Sequence, residues 1–141
     1  VEEIDRTRTV DYASGWLDQG EGSFKSLHVY FRPYKFKPDK KKRCVILTEF
    51  GGYGREIKGH RYGDDTFQYK GFNSEKELTD AVIEMYRRDI IPAKKLGLSA
   101  AIYTQLSDVE DELNGLITYD RKVIKMDKER ILKLSRELLE K

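Results

Sequence analysis

Glu49 is the residue of this sequence best placed to do chemistry. It closely follows a run of four apolar residues, Cys44 to Leu47, and it is followed by the glycine pair Gly51-Gly52. Such a run predicts a short strand buried on both faces, and two glycines let the chain turn sharply after it. In parallel α/β folds, active-site groups stand where a buried strand opens into a loop. A solvated loop carboxylate is the simpler alternative for this window taken alone.

The other residues that could bind a metal or react form no recognised pattern. The carboxylates of residues 107–112 lack the alternating oxygen ligands and the glycine of an EF-hand loop. His28 and His60 have no metal-ligand spacing between them and suit packing or surface positions. The single cysteine, Cys44, can form no internal disulfide and is predicted to be a small core residue. We therefore expect neither a metal site nor a cofactor.

Three segments of the chain have the composition of β-strands. Residues 26–31 are rich in β-branched and aromatic side chains and are stopped by Pro33. Residues 44–47 form the apolar run before Glu49, and residues 98–106 read as another buried strand. Residues 9–12 are a possible further short strand, whereas residues 1–8 give no assignment.

A capped helix links the last two of these strands. Ser74 and Glu77 form a capping box, and apolar residues then recur at helical spacing up to Ile90. Pro92 should kink or break the helix, and Gly97 is placed to terminate it. A strand, a helix and a strand in this order make a βαβ unit, which implies parallel pairing. Further along, residues 116–125 read as extended chain, and Asp127 is expected to cap a final helix.

The long segment between Glu49 and the capping box is predicted to be a functional loop. Residues 51–73 combine many glycines with aromatic side chains, and a long loop of that kind is more often functional than idle. Aromatic faces suit sugar rings or bases. Packing of the same side chains over the end of the domain is an alternative explanation.

Composition places the chain among soluble globular domains. Its 141 residues are 37% charged and 38% hydrophobic, which fits one domain spanning residues 1–141 with a real core. The net charge of +2 creates no strong field for nucleic acid or a membrane surface, so the basic run at residues 40–43 reads as a solvated loop. The sequence has no signal peptide and no membrane-spanning stretch, which favours a cytoplasmic location. Because it starts at Val1 without methionine, we expect it to be part of a longer protein.

Three stretches of the sequence carry a resemblance to a known family. They are Thr48-Glu49-Phe50-Gly51-Gly52, Gly97-Leu98-Ser99-Ala100, and residues 102–115, which read Ile-Tyr-Thr-Gln-Leu-Ser-Asp-Val-Glu-Asp-Glu-Leu-Asn-Gly. Together they make the chain resemble glycoside hydrolase family 2, which includes β-galactosidases, β-glucuronidases and β-mannosidases. The resemblance covers nearly the whole chain and implies the C-terminal half of a TIM (β/α)8 barrel, with about four parallel strands and flanking helices.

The resemblance also implies roles for particular residues. Glu49 matches the family's catalytic nucleophile at the end of the seventh barrel strand, and Tyr30, two residues after His28, matches a tyrosine that hydrogen-bonds the nucleophile. The remaining residues that the resemblance places at strand ends are Asp11, Ser14 and Trp16 after strand five and Gln105 and Asp108 after strand eight. We expect Trp16, His28, Tyr30, Gln105 and Asp108 to bind substrate. Many relatives carry a tryptophan near positions 104 and 105, and this chain does not, so the sugar is left open.

One catalytic group of that family has no counterpart in this sequence. Retaining glycosidases need a protonated carboxyl about 5–5.5 Å from the nucleophile, and the family takes it from an Asn-Glu pair that does not occur here. The chain is thus expected to supply the nucleophile half of a retaining β-glycosidase and to be inactive alone. Alternatively, it is a non-catalytic carbohydrate-binding or scaffold half-barrel. Either way, open sheet edges predict pairing with a missing N-terminal half or self-association.

Overall fold

The computed structural model describes residue 1 and residues 3–140 and shows a mixed α/β fold. Its strands are β1 (Phe24–Val29), β2 (Cys44–Gly51), β3 (Tyr53–Gly54), β4 (Lys70–Gly71) and β5 (Ala100–Thr104). Strands β1, β2 and β5 form a parallel sheet in the order β1-β2-β5, and β3 pairs with β4, also in parallel. The predicted parallel α/β architecture is confirmed, with three strands in the principal sheet of the described residues where about four were expected.

The possible strand at residues 9–12 is wrong. This segment is irregular, and it meets the start of β1 through a backbone hydrogen bond from Ser23 to the Val10 carbonyl (2.9 Å). Asp11 adds a side-chain contact by accepting a hydrogen bond from Ser26. A strand requires a continuing ladder of backbone bonds, and the bond to the Val10 carbonyl is the only backbone-to-backbone bond that residues 9–12 make with the described residues.

The predicted helix between β2 and β5 is present, with the predicted boundaries. Helix α1 (Glu75–Met85) begins at Ser74, whose hydroxyl accepts a hydrogen bond from the Glu77 amide (3.1 Å). The Glu77 carboxylate closes the capping box on the Asn73 amide (3.0 Å) rather than on that of Ser74. Gly97 ends the helical segment with φ of 115°, a left-handed conformation that glycine adopts without strain.

Pro92 deforms the helix, as predicted, through a π-turn. The α-helical hydrogen bonding of α1 gives way to a π-helical turn (Tyr86–Ile90) before α2 (Ile91–Leu96). Proline has no N–H to donate to the carbonyl of Arg88, four residues earlier, and its ring crowds that carbonyl. The wider π spacing accommodates both effects. No helix in the described residues is both long and apolar enough to span a membrane.

The core lies between the principal sheet and the helices. Val45, Leu47 and Phe50 of β2 are buried against Met85 and Ile90 of the helical segment. The final helix, α3 (Lys128–Leu139), begins at its predicted cap, where the Asp127 carboxylate accepts a hydrogen bond from the Arg130 amide (3.1 Å). Its Ile131 packs against a smaller apolar cluster, which consists of Leu78, Val82 and Met126.

The sheet is covered on one face, which corrects two expectations. Cys44 is exposed rather than buried, because β2 begins there at the open end of the sheet. Strand β5 is shorter than the predicted 98–106 and is not fully buried, since Ile102 is 57% exposed and Leu106 lies outside it. The exposure of Ile102 follows from its place on the edge strand β5, whose face opposite the helices has no covering layer.

A charged cluster holds the start of β2. From it we expect the free energy of unfolding to depend on pH. The Arg43 guanidinium donates to Asp39 (3.0 Å from Nε) and to both carboxylate oxygens of Asp18 (2.7 Å each). The hydrogen bond from Arg43 is the main cause that lowers the pKa of Asp39 from 3.8 to about 2.

A carboxylate with a depressed native pKa stabilises the fold above its unfolded pKa, and that contribution is lost as the pH falls through the native value. We therefore expect the free energy of unfolding to fall more steeply between pH 4 and pH 2 in the wild type than in Asp39→Asn. Urea unfolding at several pH values across this window measures both slopes. Equal slopes for the two proteins would contradict the assignment.

Candidate active site

Glu49 lies at the carboxyl end of β2, beside the carboxyl ends of β1 and β5. Register pairs Glu49 with His28 of β1, and Gly51 with Thr104 of β5. The three strands are parallel, so their last residues meet at one edge of the sheet. That edge is where parallel α/β folds place their active sites. The structure therefore places Glu49 where the sequence predicted it, just before the strand opens into the Gly51-Gly52 turn.

A β-bulge at Thr48 turns Glu49 towards the uncovered face of the sheet. Leu47 pairs with Leu27, yet Glu49 pairs with His28, so β2 carries one extra residue relative to β1. The pairing with β5 shows the same extra residue between Leu47 and Phe50. In a regular strand Glu49 would share the face of Leu47 and point into the helix-covered core. The bulge gives Phe50 that place instead, and bulges next to active sites commonly re-aim a side chain in this way.

Tyr30 holds the Glu49 carboxylate by a hydrogen bond, and Thr104 in turn contacts the Tyr30 hydroxyl. The Tyr30 hydroxyl donates to Oε2 of Glu49 at 2.8 Å and lies 2.9 Å from Oγ1 of Thr104. Tyr30 is buried, and this burial raises the pKa of its hydroxyl well above the ordinary value. The phenol consequently stays protonated at neutral pH and remains a donor to the carboxylate. Glu49 itself keeps 43% of its side chain exposed, which leaves it accessible to a ligand.

His28 forms the floor beside Glu49. Its Nδ1 lies 3.2 Å from Oε2 of Glu49, although the angle does not suit a hydrogen bond, and the nitrogen is buried without a partner in the described residues. The other ring nitrogen lies 3.4 Å from Oγ of Ser14, and Trp16 packs edge-on against the ring at 5.3 Å. Gly15 is required here, because a Cβ at this position would overlap the imidazole. Tyr30 and His28 thus contact Glu49, whereas Trp16 reaches the site only through its packing on His28.

Tyr69 is part of this site and was not singled out from the sequence. Its ring stacks face to face on Tyr30, with centroids 4.0 Å apart and planes 2° from parallel. Phe67 packs against its edge, and Gly52 leaves room for it, since a Cβ there would lie 2.5 Å from Cδ2 of the Tyr69 ring. The glycine- and aromatic-rich composition of residues 51–73 indicated a functional loop, but composition cannot say which ring meets Tyr30.

Gly52 makes the Tyr30–Tyr69 stack possible, and this can be tested. Its φ is 66°, so Gly52→Ala introduces both backbone strain and a clash with Tyr69. We expect the substitution to lower the free energy of unfolding by roughly 1–3 kcal/mol, as measured by urea unfolding. Gly59→Ala is a matched control, because Gly59 also has positive φ but open space around its Cβ. Equal losses in both variants would show that strain alone acts and that the stack is not displaced.

Gln105 and Asp108, the other predicted binding residues, contact different groups. Gln105 donates from Nε2 to Oε2 of Glu112 at 3.3 Å. Asp108 is buried and accepts hydrogen bonds from Nζ of Lys125 (2.6 Å) and from the Gly115 amide (2.8 Å). None of these bonds reaches Glu49 or Tyr30. The Asp108 contacts tie together the segment that follows β5.

The site consists of one accessible carboxylate, a phenol donor, an imidazole and aromatic walls. Among residues 1 and 3–140, no group of three or more His, Cys, Asp or Glu side chains could hold a metal ion. Such a set of groups can present an oriented carboxylate to a polar ligand that stacks on aromatic rings. A scan against models of known protein families finds no match to this chain, and a search of curated proteins finds no significant match.

Proposed function

We propose that this chain is the nucleophile-bearing part of a retaining β-glycosidase and forms the C-terminal half of its (β/α)8 barrel. The observation that carries the proposal is the hydrogen bond from Tyr30 to Glu49 at the carboxyl end of a parallel sheet. The resemblance in sequence to glycoside hydrolase family 2 assigns these same two residues to the nucleophile and its tyrosine. The barrel's remaining strands and its carbohydrate-binding cleft would be completed by an N-terminal half.

In the proposed reaction, an oxygen of Glu49 attacks the anomeric carbon of a β-glycoside while the bond to the leaving-group oxygen breaks. A covalent glycosyl-enzyme forms, and water then displaces Glu49 with overall retention of configuration. Tyr30 orients the carboxylate through Oε2 and leaves Oε1 for the attack. The acid that protonates the leaving group would come from the other half of the barrel.

A non-catalytic carbohydrate-binding or scaffold module is the second candidate. The observation that favours it is the uncovered face of the sheet, where Ile102 is largely exposed beside the Glu49 edge. A second copy of the chain or a different half-barrel could cover that face. Such a module would hold a sugar against the aromatic side chains without forming a bond to Glu49.

Covalent trapping separates the two candidates in the 141-residue chain itself. In 2-deoxy-2-fluoroglycosyl fluorides, fluoride departs without protonation, so the missing acid is not needed, and the 2-fluoro group slows hydrolysis of the adduct. We expect one of the galactosyl, glucosyl or mannosyl reagents to add one sugar per chain. Peptide mapping by mass spectrometry should locate that sugar on Glu49.

Two variants control this experiment. Glu49→Gln should take up no label, whereas Glu110→Gln, which changes an exposed carboxylate of the loop after β5, should be labelled like the wild type. A label on another residue would count against the nucleophile, and saturable sugar binding by the folded chain without any covalent label would favour the binding module.

A further inference from the structure

The imidazole of His28 is buried against the Glu49 carboxylate, yet one of its nitrogens has no hydrogen-bond partner. Only 6% of the His28 side chain is exposed, and Nδ1 lies 3.2 Å from Oε2 of Glu49 without the angle of a hydrogen bond. Buried polar atoms in native proteins are nearly always hydrogen-bonded. The unpaired Nδ1 is therefore a feature of the site that its structural role alone does not explain.

A ligand cannot be the missing partner of this nitrogen. Nδ1 is buried, and the ring is enclosed by Trp16, which packs edge-on at 5.3 Å, and by Gly15, where a Cβ would overlap the ring. Any contact of His28 with a substrate therefore does not use Nδ1. The acceptor that lies within reach of Nδ1 in the described residues is Oε2 of Glu49.

Ser14 favours the tautomer in which Nδ1 is a donor. Its hydroxyl lies 3.4 Å from Nε2, at the other side of the His28 ring. A neutral imidazole carries one proton, and the nitrogen that accepts a hydrogen bond is the one without it. When the Ser14 hydroxyl donates to Nε2, the proton is on Nδ1, beside Glu49. The opposite tautomer would place the lone pair of Nδ1 against a carboxylate oxygen, which electrostatic repulsion disfavours.

The Glu49 carboxylate has the freedom to bring Oε2 into line with Nδ1. Its side chain is 43% exposed, and among the described residues only Tyr30 donates a hydrogen bond to it. In the proposed reaction Oε1 moves towards the anomeric carbon, so the carboxylate turns about its terminal bond and Oε2 moves with it. Catalytic hydrogen bonds that are poorly aligned in a free enzyme often tighten in the transition state.

We propose that His28 is a positioning residue whose Nδ1–H donates to Oε2 of Glu49 as the glycosyl-enzyme bond forms. The inference rests on the proposed function, because it concerns the nucleophile of that reaction. Oε1 forms the bond to the anomeric carbon, the leaving group departs with its electron pair, and His28 keeps its proton throughout. A hydrogen bond that is weak in the free chain and strong in the transition state accelerates the chemical step without tightening binding.

The concentration dependence of labelling by the 2-deoxy-2-fluoroglycosyl fluorides tests this role in the 141-residue chain. The rate at saturating reagent reports the covalent step, and the half-saturating concentration reports binding. We expect His28→Leu to lower the saturating rate about tenfold, as the loss of one hydrogen bond to a charged group should, and to change the half-saturating concentration less than about twofold. His60→Leu is the matched control, because His60 contacts Asp120 instead and its loss should leave labelling unchanged.

His28→Asn provides a rescue that a merely structural role would not show. The amide nitrogen of asparagine is bonded to Cγ, like Nδ1 of histidine, so it returns an N–H to nearly the same place. Labelling should recover to within about threefold of the wild-type rate, and thermal unfolding verifies that each variant is folded. A folded His28→Asn chain that labels as slowly as His28→Leu would overturn the role.

Nitrogen NMR of the histidine side chains separates failure of this inference from failure of the proposed function. In the free chain Nδ1 of His28 should carry the proton, and Glu49→Gln should shift its resonance while leaving those of His60 unchanged. A proton on Nε2 would overturn the inference even where Glu49 is labelled. A labelled wild type whose rate His28→Leu does not change would also overturn the inference alone, whereas a wild type that takes no label would refute the nucleophile and this role with it.

Discussion

In the complete glycosidase that we propose, Glu49→Gln is expected to lower kcat by roughly 10⁴-fold. The amide keeps the shape of the carboxylate and can still accept the hydrogen bond from Tyr30, so the bulge and the stack should persist. What it loses is the charge that attacks the anomeric carbon. Turnover of 2,4-dinitrophenyl β-glycosides measures the effect, and an unchanged thermal unfolding midpoint shows that the fold is intact.

A smaller substitution at the same position gives a second readout. Glu49→Gly leaves space where the carboxylate stood, and added azide should attack the sugar from that face. The glycosyl azide formed would then have inverted configuration, which NMR of the product establishes. Near-normal kcat in Glu49→Gln, or azide product of retained configuration in Glu49→Gly, would remove Glu49 from the role of nucleophile.

Asp108→Asn is expected to destabilise the fold by about 3–5 kcal/mol, because it leaves a buried lysine without its counter-ion. The Lys125 side chain is 0% exposed, and its ammonium donates to Asp108 and to the Leu113 carbonyl (2.8 Å). Burial raises the pKa of Asp108 and lowers that of Lys125, so solvent exclusion opposes the charge on both groups. Urea unfolding of the single variant measures the loss.

The double variant Asp108→Leu with Lys125→Met provides the control for this prediction. Since desolvation opposes both charges, replacing the pair by apolar side chains should restore most of the stability lost in Asp108→Asn. Covalent labelling of Glu49 in the folded double variant should match that of the wild type. A single variant that stays stable but loses sugar binding would instead support the role in substrate binding that the family resemblance implies for Asp108.

Local signals in the sequence were sufficient for the elements that frame the site. The capping box at Ser74, the proline at position 92 and the glycine at position 97 each act through their own backbone geometry, so they fix the helix irrespective of distant contacts. The apolar run before Glu49 likewise indicated β2, and the βαβ order indicated parallel pairing with β5. The parallel α/β class follows from these features alone.

Contacts between distant residues account for what the sequence did not reveal. The Tyr30–Tyr69 stack joins residues from two different loops, and the Asp108–Lys125 pair depends on how the segment after β5 folds back on itself. The exposure of Cys44 and Ile102 depends on which face of the sheet the helices cover. Hydropathy gives the apolar character of a residue, but it does not indicate whether a second layer is present to bury it.

The bulge at Thr48 makes the direction of Glu49 depend on which residue it pairs with in β1, and not on its position counted along β2. Thr48 is the extra residue that neither neighbouring strand matches. Replacing or deleting Thr48 would leave Glu49 facing the same way, because Glu49 would still pair with His28 and lie on the opposite face from Leu47. A β2 that kept Thr48 but lost the bulge would instead pair Thr48 with His28 and turn Glu49 into the helix-covered core, so selection for Glu49 would act on its pairing with His28.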